Sequence, residues 1–242
     1  MWDRAELKER GKAAFKANFW TVVVVAFILS IALGGLRFTQ EINSAQDISE
    51  YYNYGEAARV ATRVSSWSTL ALLLKVLALN PIAAGCYRFF LLNTKGQGQI
   101  EDVFWFFREG RWSNAVIVLL VRDVYLILWT LLFIIPGIVK IFSYRMVPFI
   151  LAENPGLGPN EVITRSREMM DGQKGAAFVL DLSFVGWALL SVLTLGILAV
   201  LYVSPWLQCT NAELYCAIAH PRAAGPFGAR DPGDYRGGNM PY

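Results

Sequence analysis

The chain has 242 residues, 55% of them hydrophobic and 17% charged, with a formal net charge of +3 and a mean hydropathy of +0.39. That balance fits a polytopic membrane protein better than an ordinary soluble domain, in which about a quarter of the residues are charged. Here they come in blocks: Phe19 to Leu36 carries no charge, and later runs reach the roughly 20 residues that a bilayer core of about 30 Å demands.

Met1 to Asn18 reads as an amphipathic helix in the membrane interface. Leu7, Gly11, Ala14, Phe15 and Phe19 trace its apolar stripe, and Arg4, Lys8, Arg10, Lys12 and Lys16 carry its charge. It either orients the first span or senses lipid, and both roles place it in the cytoplasm. The first span runs from Phe19 to about Leu36 and, with no cleavage site clearly placed beyond it, is expected to stay as a transmembrane helix. A polar connection from Arg37 to Ser66, carrying Tyr51, Tyr52 and Tyr54, lies outside by the lysine and arginine bias.

The second span covers Trp67 to Leu92, with a kink at Asn80-Pro81 where a backbone donor is lost. After the turn at LNTKGQGQ, Ile100, Val103, Phe104 and Phe107 have the spacing of a second short interfacial helix. The third span is Trp112 to Ile135, Pro136-Gly137 makes the outer turn, and the fourth returns from Ile138 to about Ala152, stopped by Asn154-Pro155. Asn160 caps a third short helix with Val162, Ile163, Ser166, Met169 and Met170 on one face, ended by Gly172. The fifth span is Gly175 to about Leu195, Gly196 marks a turn, and the sixth returns to about Ala219, bent at Pro205. The tail, residues 222–242, is too poor in apolar residues to pack and reads as disordered and cytoplasmic.

The fold class expected is therefore an all-α integral membrane protein: six transmembrane helices as three hairpins, each preceded by a short cytoplasmic interfacial helix. The single transmembrane domain, residues 1–221, divides into units of about 1–92, 93–152 and 153–219. Local matches, such as Pro81 before Tyr87-Arg88 and Pro136 before Tyr144-Arg145, support an internal repeat around an axis normal to the membrane. Positive residues gather on one side of the spans, so both termini are expected in the cytoplasm.

Chemistry can live only in the charges within the apolar runs. Lys75, Arg88, Arg122, Asp123, Lys140, Arg145, Asp181 and Glu213 fall inside spans or close to their ends, where a charge costs about 3 kcal/mol or more and must face protein or water. By depth, Arg88 and Arg145 meet Asp181 and Glu213 in a cytoplasm-facing layer, with Arg122-Asp123 above it and Arg145 facing Asp181 or Glu213. These charges either lock helices together or line an inward-open polar cavity for a small polar or anionic solute or a lipid headgroup. In the second case Arg88, Arg122, Asp123, Arg145, Asp181 and Glu213 are the ligand-binding residues, with Arg122 as anion contact and Asp181 as counter-ion.

No cofactor or metal is expected. His220 is the only histidine, and Cys86, Cys209 and Cys216 are scattered free thiols. Walker, His-Glu-x-x-His and Gly-x-Ser-x-Gly motifs are missing, so the chain is not read as an enzyme. Trp20, Trp67, Trp112 and Trp206, near span ends, read as interfacial anchors. Anionic lipid accounts for the basic N-terminal segment, and no nucleic-acid partner is expected. Membrane lipids are, together with a second copy of the chain or another membrane subunit closing the gap on the repeat axis.

Five segments carry a resemblance: Leu128 to Ile138 (LWTLLFIIPGI), Ser143 to Pro155 (SYRMVPFILAENP), Ser166 to Lys174, Leu182 to Leu190 and Thr194 to Leu198. Together they resemble the bacterial integral membrane proteins grouped as domain of unknown function 975. In the sixth span Pro205-Trp206 replaces that family's usual Pro-Tyr. The resemblance implies a multi-pass protein of a bacterial cell membrane and brings no activity, cofactor or site. Two functions stay open: a solute or headgroup binding or transport component, and a membrane scaffold or regulatory subunit that recruits a partner through its cytoplasmic helices and tail.

Overall fold

The structure, a computed structural model, describes residues 2–35, 73–194 and 196–220. The polar connection, the outer start of the second span and the tail lie outside the described residues. Those described form helices and no strand. The α-helices are α1 (Arg4–Ala17), α2 (Phe19–Ser30), α3 (Asn80–Asn93), α4 (Trp105–Arg108), α5 (Trp112–Leu132), α6 (Ile134–Ser143), α7 (Val147–Glu153), α8 (Pro159–Met169), α9 (Lys174–Leu182), α10 (Val185–Leu193) and α11 (Ser204–Ala219).

Four stretches are long and apolar enough to cross a membrane: Lys75–Asn93, Trp112–Leu132, Ile135–Glu153 and Lys174–Leu193. A fifth would combine Arg4–Ala17 with Phe19–Leu33, a pair bent by 106°. The last helix is not among them. Gln208, Asn211 and Glu213 make it polar, and much of it is buried in protein.

Proline organises the starts of three helices. α3, α7 and α11 begin Asn80-Pro81, Val147-Pro148 and Ser204-Pro205, where proline fits the first helical turn but denies the preceding turn a donor. Before α3 and α11 the chain widens into π-turns, Lys75–Leu79 and Ala199–Val203, and the amides of Asn80 and Ser204 donate to Lys75 and Ala199. The carbonyl that Pro81 would leave unbonded in an α-helix, that of Leu77, accepts the Trp112 indole N–H at 2.7 Å. Trp112 is thus a helix-to-helix link, and Trp206, buried and donating to the Lys8 carbonyl at 3.0 Å, is another. Trp20 is exposed, as an anchor should be.

Each proline also marks a change of surroundings. Leu73, Leu74 and Leu77, then Ile138, Val139 and Ile141, then Ile197, Val200 and Leu201 are exposed before the break. Beyond it Phe89, Phe90, Phe149, Ile150, Leu151, Leu214 and Tyr215 are buried, each aromatic or aliphatic side chain contributing about 2 kcal/mol. α5 divides the same way in reverse, with Ala115, Val116, Val118 and Leu119 buried near its start and every residue from Ile127 to Leu132 exposed. An apolar belt and a packed core are therefore consecutive layers of the same helices.

The short helices belong to the core. The α1 stripe of Leu7, Gly11 and Phe15 is buried against α11 instead of facing lipid, with Gly11 so close that a Cβ would stand 2.5 Å from Thr210 Oγ1. The segment Ile100–Phe104 is a 3-10 turn, entered through a capping box of Gln99 and Asp102. Val103 there and Phe106 in α4 are buried, while Ile100, Phe104 and Phe107 are exposed, unlike the α-helical stripe expected from spacing. In α8 Val162, Ile163 and Ser166 face inward as expected, but Gly158 holds the cap position with Pro159 behind it, not Asn160.

The third-to-fourth turn is displaced too. The chain reverses at extended Phe133 (φ −156°, ψ 137°), and Pro136-Gly137 lies in the first turn of α6. There proline loses no hydrogen bond, and Gly137 lets α6 approach α5, since a Cβ would stand 2.8 Å from Thr130 Oγ1. Gly196, with φ +83°, does make a turn.

Gly85 is the tightest contact in the core: a Cβ would lie 2.0 Å from the Val103 carbonyl oxygen, whereas nothing lies within 4 Å at Gly175. Gly85→Ala is expected to cost on the order of 3 kcal/mol through overpacking against backbone, and Gly175→Ala close to nothing. Thermal unfolding of the two purified variants in detergent would separate them; equal melting temperatures would refute this packing.

Candidate functional site

Arg145 sits in the break between α6 and α7, where the chain passes from belt to core. Its Nη1 donates to Asp181 Oδ2 at 2.7 Å, and its Nη2 donates to Asp181 Oδ1 at 2.7 Å and to Asn211 Oδ1 at 2.5 Å. One guanidinium thereby joins the α6–α7 junction, α9 and α11. The arginine side chain is 14% exposed and the aspartate 38%, and the planar fork matches a carboxylate in a way that a lysine cannot. Of the two carboxylates expected opposite Arg145, Asp181 is the one it takes. Asn211 was not anticipated, although an amide amid apolar residues, three after Gln208, was a signal.

Arg122 and Asp123 pair with each other: Nε and Nη2 donate to Asp123 Oδ1 at 3.0 and 2.7 Å. Among the described residues the hydrogen bonds of Arg122 stay within α5. Adjacent helical positions point about 100° apart, so this pair spans one helix and ties no second one to it. From α3, Tyr87 lies in the electrostatic field of Arg122, Asp123 and Arg145, its ring edge-on to Phe149 at 5.0 Å. Gln208 Oε1, a turn before Asn211, is buried without a hydrogen-bond donor among the described residues.

Arg88 does not join them. Its guanidinium lies 4.0 Å from the Trp105 ring centroid, and Nη1 donates to the Ala152 carbonyl at 3.1 Å. α3 turns that position toward α4 and the end of α7, so Arg88 braces those elements rather than meeting Asp181. Glu213 is buried on α11, one turn beyond Cys209. Lys140 stands 4.4 Å from the Trp129 ring centroid.

The convergent groups share a level. Arg122 stands between buried Leu119 and exposed Val124, Arg145 between exposed Ile141 and buried Val147, and Asp181 beside buried Leu180 with Val179 and Leu182 exposed. Arg145 thus stands at the seam between belt and core. A second cluster escaped the sequence because its members are far apart in the chain: Glu153 accepts from the Tyr215 hydroxyl and contacts His220 Nε2 at 2.8 Å, with Tyr215 stacked on Phe149 at 5.6 Å.

Residues 134–222 match the model of a family described as protein of unknown function (DUF975). Over that stretch, which is less than half of the chain, the sequence is similar to the DUF975 family. The resemblance seen in the sequence motifs holds from α6 onward, while Leu128 to Phe133 lies before the match. Arg145, Asp181, Asn211, Glu153, Tyr215 and His220 fall within the DUF975 region; Tyr87, Arg88, Arg122 and Asp123 fall outside it. No curated protein and no solved structure matches the chain.

Arg145→Met should lower stability by about 3 kcal/mol, since it strands a carboxylate and an amide built around a buried cation. Asp181→Asn, at the more exposed end and still able to accept one bond, should cost about 1 kcal/mol. Denaturant unfolding of both variants in detergent measures this, and equal losses would contradict the asymmetry.

Proposed function

We propose that the protein is a multi-pass membrane component that binds, and in that capacity could transport, a small polar or anionic solute or a lipid headgroup at the polar layer of Tyr87, Arg122, Asp123, Arg145, Asp181 and Gln208. The observation that carries this reading is the Arg122-Asp123 pair. A brace must join two elements, as Arg145 does with Asp181 and Asn211 and as Arg88 does with Trp105 and Ala152. Among the described residues Arg122 and Asp123 join none, yet they sit in an apolar helix where charge is costly and ordinarily marks a functional site. Arg122 is then the anion contact. Arg145 and Asp181, expected from sequence to bind ligand as well, serve here as the frame that holds the layer.

In this reading six helices pass through the membrane as three hairpins, both termini lie in the cytoplasm, and the layer faces that side. The recurring X-Pro start of α3, α7 and α11 supports the three-unit repeat, with Pro148 rather than Pro136 in register with Pro81 and Pro205. The scaffold reading rests on a different observation, the outward Ile100, Phe104 and Phe107, and it predicts that Arg122 is dispensable.

The two are separated by Arg122→Gln. Native mass spectrometry of protein released from lipid nanodiscs should show loss of co-bound phosphate-bearing adducts, while the melting temperature shifts by no more than about two degrees. Adducts unchanged beside a melting temperature lowered as far as in Arg145→Met would make Arg122 another brace and defeat the binding reading.

A further inference from the structure

The chemistry of the pair narrows the ligand. α5 carries an exposed stripe of Ile117, Leu120, Val124, Ile127, Leu128 and Leu131 at helical spacing, and a buried face of Ala115, Val118 and Leu119. At 100° per residue, Arg122 falls on the buried side and Asp123 on the edge between it and the stripe. Their side chains are 15% and 27% exposed, in that order. A cation turned inward and an anion at the edge of an apolar, outward stripe thus stand side by side, paired only with each other among the described residues.

We infer that the ligand is a zwitterionic membrane lipid whose headgroup carries a phosphate and a primary ammonium, of the phosphoethanolamine class. This rests on the reading of the Arg122-Asp123 pair as a binding element. The phosphate takes the Arg122 guanidinium, which offers a planar set of donors. The ammonium, held to the phosphate by a short alkyl tether, takes the Asp123 carboxylate that this exchange leaves unpaired. A purely anionic headgroup or a free anion would face Asp123 without compensating it. A choline headgroup carries no N–H to donate to it. The acyl chains lie along Val124, Ile127 and Leu131, the exposed residues on the belt side of the pair.

The full-length protein is reconstituted in phosphatidylcholine nanodiscs containing equal small amounts of phosphatidylethanolamine and phosphatidylglycerol, and the lipids retained on release are counted by native mass spectrometry. Phosphatidylethanolamine should be retained about tenfold over either competitor, a difference of one hydrogen-bonded ion pair. Asp123→Asn should abolish the preference over phosphatidylglycerol while keeping phosphate retention. Arg122→Gln should lose both, and Arg122→Lys, which preserves the charge and controls for folding, should keep a reduced preference. Phosphatidylglycerol retained as well as phosphatidylethanolamine, or a preference unchanged in Asp123→Asn, overturns the zwitterion assignment and leaves Arg122-dependent headgroup binding standing. Displacement of the lipid by millimolar phosphoethanolamine overturns the membrane source. Retention of every lipid in Arg122→Gln overturns this inference and the binding reading together.

Discussion

The arrangement depends on how a buried guanidinium is satisfied. Arg145 stands where the chain leaves an apolar run, and without partners its burial would cost several kcal/mol. It therefore draws Asp181 from α9 and Asn211 from α11 to hydrogen-bond distance, which fixes the α6–α7 break relative to two other helices. Such a contact contributes little net stability compared with apolar packing of the same volume, yet it penalises other registers strongly, because sliding α11 by one residue would move Asn211 out of reach. Geometry, more than stability, is what the fork determines.

The proline breaks supply the complementary constraint. A helix that passes from lipid into a packed core has to change its surface within one turn, from outward leucine and isoleucine to closely approached glycine, alanine and aromatic rings. X-Pro allows that change, because the widened or broken turn before it lets the following helix take a new rotation and direction. The donor lost at Pro81 is replaced by the Trp112 indole, so the break also ties α3 to the start of α5. The closely packed positions follow directly beyond it: Gly85 on Val103, and Gly11 on Thr210 beside Pro205.

What the sequence made legible follows from how local each determinant is. Apolar blocks, their approximate ends and the pairing of Arg145 with a carboxylate could be read, since a charge in such a block needs a partner and few were on offer. Arg88 could not, because its partners are a backbone carbonyl and an indole, which composition does not mark as counter-charges. The turn at Phe133 was misplaced because Pro-Gly is a strong turn signal, and only the closeness of Thr130 shows that Gly137 serves packing. The stripe through Ile100 and Phe104 failed for a geometric reason: spacing assumes 3.6 residues per turn, and in a 3-10 turn positions four apart, such as Ile100 and Phe104, no longer share a face. The Glu153, Tyr215 and His220 cluster needed α7 and α11 to be placed side by side, which no local pattern encodes.

The division of the polar layer matches the division of the chain. The fork of Arg145, Asp181 and Asn211 lies inside the family-matched residues, and Arg122 and Asp123 lie on α5, just before them. α5 is nevertheless not free to move: Gly137 seats α6 against Thr130, and Asn114 Nδ2 donates to the carbonyls of Pro155 and Leu157 at 2.7 and 3.0 Å. Both ends of α5 are therefore tied to the region that contains the fork, which sets the height of Arg122 relative to Arg145. Among the described residues this charged pair, held at fixed height by its neighbours, is bonded only to itself, so on the binding reading it would exchange its partner for a ligand without loosening the bundle. The same exchange at Arg145 would separate three elements. This difference in what each arginine holds together separates a position suited to binding from one suited to support.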